Sequence, residues 1–310
     1  MKYSEWLNLW LENYVKPNTK KRTYSRYAEI VNQHLNPRIG EIGIEKLTPL
    51  DLQRVVTELL EDGNLKTSKG LSVNSVNSIM SVVRISLKAA ITAGVITDNA
   101  GDKVRRPKPA EKKVTCFTLN EQKKIEQSAL KSDNGKMIGV ILCLYTGLRI
   151  GELLALEWSD IDFVKCELFV TKTSHDTKDE NGEFCRSIDK PKTASSNRVI
   201  PLPRQIIPVL KAARQKSAGE YVVCSKKGNG LYVRSYQQTY KRLLKTANVP
   251  YKNFHSLRHT FATRALECGM DVKTLSEILG HKSPTITLNR YVHSLMEHKK
   301  EMMNKLGKLF

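Results

Sequence analysis

The sequence predicts a mainly α-helical chain with one small β-sheet, an α+β architecture, arranged in two domains. Three observations carry this. Apolar residues recur at helical spacing through residues 1–97, with no strand signal among them. The period changes to that of strands between residues 159 and 203. Between the two domains, residues 98–113 (DNAGDKVRRPKPAEKK) break both patterns with prolines, a glycine and many basic side chains, as an exposed linker does. A chain of 310 residues is comfortable for two domains, and 40% apolar content is enough for a core in each.

In the first domain, 1–97, WLNLWLENYV has apolar side chains at 6, 7, 10 and 14, and TYSRYAEIVNQHL keeps that period until Pro37. Thr48 and Pro49 offer an N-cap and a first-turn proline to DLQRVVTELL. Ser72 caps a long helix with Ile79, Val82, Val83, Leu87, Ala90 and Ile91 on one side, and Gly94 is placed to end it. The second domain, 114–310, opens on a capping box, Thr118 to Glu121. MIGVILCLYTG (137–147) is apolar all round and reads as a buried helix stopped near Gly147, followed by a short helix in GELLALEW. ELFVTK and NRVIPLP read as strands separated by a long polar stretch, and YVVCS as a further strand. Helices return from about residue 232 to the end.

The 51 Lys and Arg against 31 Asp and Glu leave a net charge of +20, which favours a polyanionic partner. Residues 1–110 carry 17 basic and 11 acidic side chains and the remainder 34 and 20, so both domains are basic, as suits a clamp on a polyanion. The opening MKYSEWLNLWLENY carries Glu5 and Glu12 and lacks the apolar core of a secretory signal. No stretch approaches the length of a transmembrane helix, so no membrane partner is expected. Six scattered cysteines form no C-x-x-C pair, and the spacing of Cys166, His175 and Cys185 matches no common zinc pattern; reduced thiols in a cytosol are expected. There is no P-loop and no obvious carboxylate cluster for Mg²⁺, since Asp160 and Asp162 read as helix-ending residues.

Four polar clusters stand out. In TGLRIGELLALEW, Arg149 follows a buried helix and needs an anionic partner, either Glu152 three residues on or a bound phosphate. In PKTASSNRVIPL, Lys192 sits in a turn before a strand, with Arg198 near its start. In HSLRHTFATRALECG, His255, Arg258 and His259 are spaced so that His255 shares a helix face with each of the other two; His259 reads as structural. DVKTLSEILGHKSPTITLNRYVH gives a helix, Gly280, a turn with His281, then Ser283 and Pro284 capping a helix that carries Tyr291. The last segment also reads as a helix-turn-helix DNA reader.

Taken in order over about 145 residues, TGLRIGELLAL, PKTASSNRVIPL, HSLRHTFAT and LGHKSPTITLNRY resemble the tyrosine recombinases, the phage-type integrases, including those of phages and conjugative transposons. The resemblance implies a helical core-DNA-binding domain followed by a catalytic domain, closing as a clamp around DNA. It implies phosphodiester transesterification through a 3′-phosphotyrosine, with Tyr291 as nucleophile and Arg149 and Arg258 as transition-state stabilisers. Lys192, with Lys190 and Lys172 nearby, becomes the general acid. His255 and His281 donate to the phosphate or accept the tyrosine proton. His281 precedes Tyr291 by ten residues, one more than in many members.

The family's chemistry calls for no metal and no cofactor. Its partners are double-stranded attachment sites, further copies forming a tetramer on two duplexes, and an excisionase or DNA-bending accessory protein. The expected location is the bacterial cytosol and nucleoid, and the expected task is integration or excision of a mobile element. The tail after Tyr291, with Leu295, Met302, Met303, Leu306 and Phe310, is expected to form a helix that docks on a neighbouring protomer or on its own domain. Two rival readings share the basic charge: a type IB-like topoisomerase and a non-catalytic helix-turn-helix regulator.

Overall fold

The computed structural model describes residues 1–110, 115–178, 182–189, 197–291, 303–304 and 306–307. The chain divides into two compact units, Met1–Lys112 and Lys113–Phe310. Each has its own buried apolar cluster.

The first unit is helical: α1 (Tyr3–Trp10), α2 (Lys21–Ile30), α3 (Asn36–Ile39), α4 (Pro49–Glu61) and α5 (Val73–Thr92). The caps read from sequence form: Thr48 Oγ1 accepts from Asp51 N at 3.2 Å, and Ser72 Oγ accepts from Ser75 N at 3.2 Å. Each satisfies a helix-end N–H that has no intrahelical partner. Inside the core, the Tyr3 hydroxyl meets Ser86 Oγ at 2.7 Å and Trp6 Nε1 donates to Ser86 O at 3.0 Å, so both aromatic polar atoms are paired where they are buried.

Two expectations change here. Pro37 does not end the helical run. A π-helical turn, Val31–Leu35, follows α2, and Pro37 lies in the first turn of α3, where a missing N–H costs nothing. The first part of the basic stretch 98–113 also packs against this unit, while Asp98, Asp102, Lys103 and Arg105 stay exposed. Val104 is buried, Arg105 N donates to Gln53 Oε1 at 3.0 Å, Arg106 reaches Ser81 Oγ and Met80 O, and Asn77 Nδ2 donates to Pro107 O. Residues 111–113 of that stretch lie outside the described residues.

The second unit holds α6 (Leu119–Leu130), α7 (Ile138–Thr146) and α8 (Ile150–Ala155), then β1 (Ile161–Asp162), β2 (Glu167–Val170), β3 (Thr173–Lys178), β4 (Phe184–Asp189) and β5 (Arg198–Pro201). The helices α9 (Ile207–Gln215), α10 (Val233–Thr246), α11 (His255–Glu267), α12 (Val272–Leu279) and α13 (Pro284–Tyr291) follow. Every residue of α7 except Tyr145 is buried, as its all-round apolar sequence requires. The antiparallel sheet runs β1-β2-β5, with Val170 opposite Arg198 and Leu168 opposite Ile200.

Where a polar stretch was expected between two strands, β3 and β4 form a second antiparallel pair. Their sequences, TSHDTK and FCRSID, lack a clean alternation; the ladder and a tether hold them instead. That tether is Asp176, which accepts from Val233 N and Arg234 N at the start of α10. YVVCS (221–225) is not a strand: its segment makes only the isolated bridges Glu157 to Tyr221 and Cys224 to Gly230, with Val222 and Val223 buried between them. The tail expected after Tyr291 falls outside the described residues, apart from 303–304 and 306–307.

Candidate active site

The end of α12 organises the site. Asp271 caps its start by accepting from Thr274 N at 2.9 Å. Its stop is Gly280, at φ +63°, a left-handed conformation that glycine adopts without steric cost. Gly280 N then donates back to Glu277 O and His281 N to Ser276 O, both at 3.0 Å, the two bonds of a Schellman motif. This leaves the carbonyls of Ile278, Leu279 and Gly280 beyond the reach of the helix's own donors.

Each of those three carbonyls accepts from a different arginine. Arg198 Nε donates to Ile278 O at 2.6 Å, Arg258 Nη2 to Leu279 O at 2.7 Å, and Arg149 Nη2 to Gly280 O at 3.0 Å. The three come from β5, α11 and the N-cap of α8. A helix C-terminus carries partial negative charge, so it suits a ring of guanidiniums.

Arg258 is 1% exposed, and its second nitrogen, Nη1, donates to Gly147 O at 2.9 Å. Gly147 ends α7 at φ +66°, and a Cβ there would lie 2.6 Å from Phe261 Cδ1 and 2.8 Å from Leu279 Cδ2. The glycine therefore lets the end of α7 approach α11 and α12 closely enough to meet Arg258. The helix α11 is in turn pinned by Thr260 Oγ1, which accepts from Phe117 N at 2.8 Å, and by Arg264 Nη2, which donates to Phe117 O at 2.9 Å.

Arg149 is bound to Glu152 through both backbone and side chain: N to Oε2 at 2.9 Å and Nη1 to Oε1 at 2.7 Å. Its side chain is still 36% exposed. Behind it, Arg198 grips the same carboxylate with a fork, Nη1 to Oε1 at 3.1 Å and Nη2 to Oε2 at 2.9 Å, and both of these side chains are only 6% exposed. Burial pushes the Glu152 carboxyl up, but the Arg198 hydrogen bonds and charge, with the charge and backbone N–H of Arg149, outweigh it and hold the pKa at about 2. Glu152 thus stays ionised at neutral pH and aligns two arginines while cancelling one charge.

His281 follows Gly280, and its Nδ1 shares a 2.7 Å hydrogen bond with Oγ1 of Thr287, which is fully buried on α13. That bond fixes the ring from one nitrogen. His255 opens α11 and is exposed; its ring meets that of half-buried His259 edge-on, with centroids 4.6 Å apart. Tyr291 is the last residue of α13, and its side chain lies outside what is described. Lys192 and Lys190 also fall outside the described residues. The nearby Lys172 is engaged elsewhere, paired with Glu157 at 2.8 Å and Asp160 at 3.8 Å. Burial works against its charge, but Glu157 and Asp160 prevail and raise its pKa above the ordinary lysine value.

Among the described residues no group of three His, Cys, Asp or Glu side chains is placed to hold a metal ion. Cys166 and Cys185 are free thiols. Asp160 does end a helix, the short 3₁₀ helix Trp158–Asp160, whereas Asp162 ends β1. Asp160 Oδ2 accepts from Glu157 N in a short 3₁₀ turn, and Asp162 Oδ1 accepts from Val164 N and Lys165 N in the β1–β2 turn. Sequence reasoning did not include Arg198 in the site. The available signal was an arginine on the first residue of a strand whose other inward position, Ile200, belongs to the core.

Comparison with known proteins adds the family. The phage integrase family matches residues 116–298, and the N-terminal SAM-like domain of phage integrases matches residues 2–60. A tyrosine recombinase XerC-like protein of Caldanaerobacter subterraneus subsp. tengcongensis is 32% identical, with 98% of this chain and 82% of the relative covered. The ICEBs1 integrase of Bacillus subtilis is 26% identical over 94% of this chain and 79% of its own length. In structure, the chain is similar to the Tn1549 transposon integrase in complex with a circular intermediate DNA, at a TM-score of 0.83 and 21% identity, with 99% of each chain covered.

Proposed function

The chain belongs to the phage integrase family of tyrosine recombinases, site-specific enzymes that cut and rejoin DNA, and on that premise we propose that Tyr291 is its nucleophile and Arg149 and Arg258 the cations that meet the scissile phosphate. The phenolic oxygen of Tyr291 attacks phosphorus and loses its proton, the bond to the 5′-oxygen breaks, and a 3′-phosphotyrosyl ester remains. Lys192 supplies a proton to the departing 5′-oxygen. A 5′-hydroxyl of a second strand then attacks the ester, releases Tyr291 and restores a phosphodiester. The number of phosphoester bonds is unchanged, so no external energy source enters.

Negative charge concentrates on the non-bridging oxygens as the fifth bond forms. Planar guanidiniums, charged at every working pH and able to donate in pairs, match that charge. The observation that carries the reading is the fixed placement of Arg149 and Arg258 on adjacent carbonyls of one helix end. His281, one residue beyond Gly280, and His255, three residues before Arg258, are the further donors, and either is chemically able to take the tyrosine proton.

Similarity to the ICEBs1 integrase supports integration or excision of a mobile element as the task. The substrates are double-stranded attachment sites, gripped by the basic surfaces of both units. Exchange between two duplexes cuts four strands and so calls for four copies of the chain, a tetramer on DNA. An excisionase or DNA-bending protein is the partner that sets direction. No helix among the described residues is long and apolar enough to cross a membrane, and the cytoplasm is the proposed location, where such DNA resides.

The test is a nicked duplex that spans a recombination site and loses its short 5′-hydroxyl strand on cleavage. The wild-type chain forms a covalent protein–DNA band on a denaturing gel, and Tyr291→Phe forms none. A non-catalytic regulator binds the duplex and forms no band with either chain. A topoisomerase forms the band but does not join two separate sites.

A further inference from the structure

We propose that Arg198 is a positioning residue for strand cleavage: it braces the carboxylate that orients Arg149, and it ties the strand after the Lys192 segment to the end of α12. This rests on the recombinase reading above and adds to it a residue that does not itself touch the phosphate.

The geometry is specific. Arg198 is the first residue of β5, with its backbone held opposite Val170 of β2. Its side chain is 6% exposed and uses all three guanidinium nitrogens: Nε on Ile278 O, Nη1 and Nη2 on the two oxygens of Glu152. Glu152 returns those contacts to Arg149, whose other nitrogen reaches Gly280 O, two residues along from Ile278. One side chain therefore links three pieces of the site: the sheet, the N-terminus of α8 and the α12 end that carries His281. Lysine has one nitrogen and cannot hold a carboxylate fork and a carbonyl together at these angles. Lys192 lies six residues before this anchor in the sequence.

Among the described residues, the titratable and charged groups facing Glu152 are Arg149 on its own helix, Arg198 from β5 and the buried thiol of Cys143 from α7; α12 contributes the carbonyls that hold the arginines. Burial favours the protonated acid, and Arg198 is its largest counterweight. Without Arg198 the carboxyl titrates higher, and acid then loosens Arg149.

The experiment measures single-turnover cleavage of the nicked duplex by the full chain across the range of about pH 5 to 8, with DNA affinity and melting temperature measured in parallel. The variants are Arg198→Ala, Arg198→Lys, Glu152→Gln and the Arg198→Ala/Glu152→Gln double. Both Arg198 variants are expected to cleave about ten- to a hundred-fold more slowly while binding DNA within about twofold of wild type. The ratio of variant to wild-type rate falls further toward acid pH, beyond any acid limb that His255 or His281 gives both chains. Arg198→Ala costs less on the Glu152→Gln background than alone, because the carboxylate link is already broken there and only the tie to Ile278 O remains to lose.

Three results overturn the proposal: cleavage within about twofold of wild type in both Arg198 variants; a loss equal at every pH that adds in full to Glu152→Gln; or a loss that only tracks falling melting temperature and DNA affinity. Failure of the recombinase reading looks different: an adduct that survives Tyr291→Phe while the Arg198 variants keep their pH-dependent loss.

Discussion

Arg149 and Arg258 donate to neighbouring carbonyls, those of Gly280 and Leu279, at 3.0 and 2.7 Å. Two guanidiniums from separate helices are thus set side by side by the last turn of a third. The protein itself satisfies and orients them, so the cost of gathering like charges is met on folding instead of during reaction. Such preorganisation is the main way an enzyme stabilises charge that develops only in the transition state.

Arg149→Ala is expected to keep most DNA binding and to slow cleavage on the order of a hundred- to a thousand-fold, about 3–4 kcal/mol of barrier. Its side chain is 36% exposed, so the change leaves no large buried hole. Gel shifts and single-turnover cleavage check this, and equal losses in both make Arg149 a binding residue instead.

Arg258→Ala differs because the side chain is buried. It strands the carbonyls of Gly147 and Leu279, whose desolvation is no longer compensated. We expect about 2–4 kcal/mol of lost stability in urea unfolding, in addition to lost cleavage. An unfolding midpoint equal to wild type contradicts the burial argument.

Gly147→Ala is expected to destabilise the second unit by about 2 kcal/mol or more. The backbone there is left-handed, and the added Cβ meets Phe261 at 2.6 Å. Because Gly147 O also receives Arg258, cleavage should fall along with the melting temperature. A variant as stable as wild type would show that the α7 terminus has room to move.

Glu152 gives a pH prediction with a definite sign. Its folded pKa, about 2, lies below the ordinary value of 4.5. Its contribution is therefore complete above about pH 4.5 and is lost as pH falls toward 2. Urea unfolding of wild type and Glu152→Gln over this window should give curves that converge toward acid and separate above it, with the wild type the more stable. Parallel curves contradict the assignment.

Local signals made much of this legible from sequence. Gly147 and Gly280 read as helix stops because each ends an apolar run, and both are left-handed caps. Thr48, Ser72 and Thr118 read as caps, and all three accept the expected N–H. For Arg149 the sequence offers Glu152 or a phosphate; the ion pair forms, and the side chain remains partly open. What could not be read depends on distant contacts. The β3–β4 pair is held by the bond of Val233 N, at the start of α10, to Asp176 on β3, 57 residues earlier. Arg198 stands in the sequence only as a residue near a strand start, and its partners, Ile278 and Glu152, come to it through folding. Pro37 looked like a stop because a π-helical turn leaves no periodic mark.

The most direct test of the central claim is to locate the covalent bond. The wild-type chain is trapped on the nicked duplex, the DNA is trimmed to a short nucleotide remnant, and tryptic peptides are sequenced by mass spectrometry. The account predicts a single modified peptide with the remnant on Tyr291. A remnant on any other residue, with Tyr291 recovered unmodified, would contradict it.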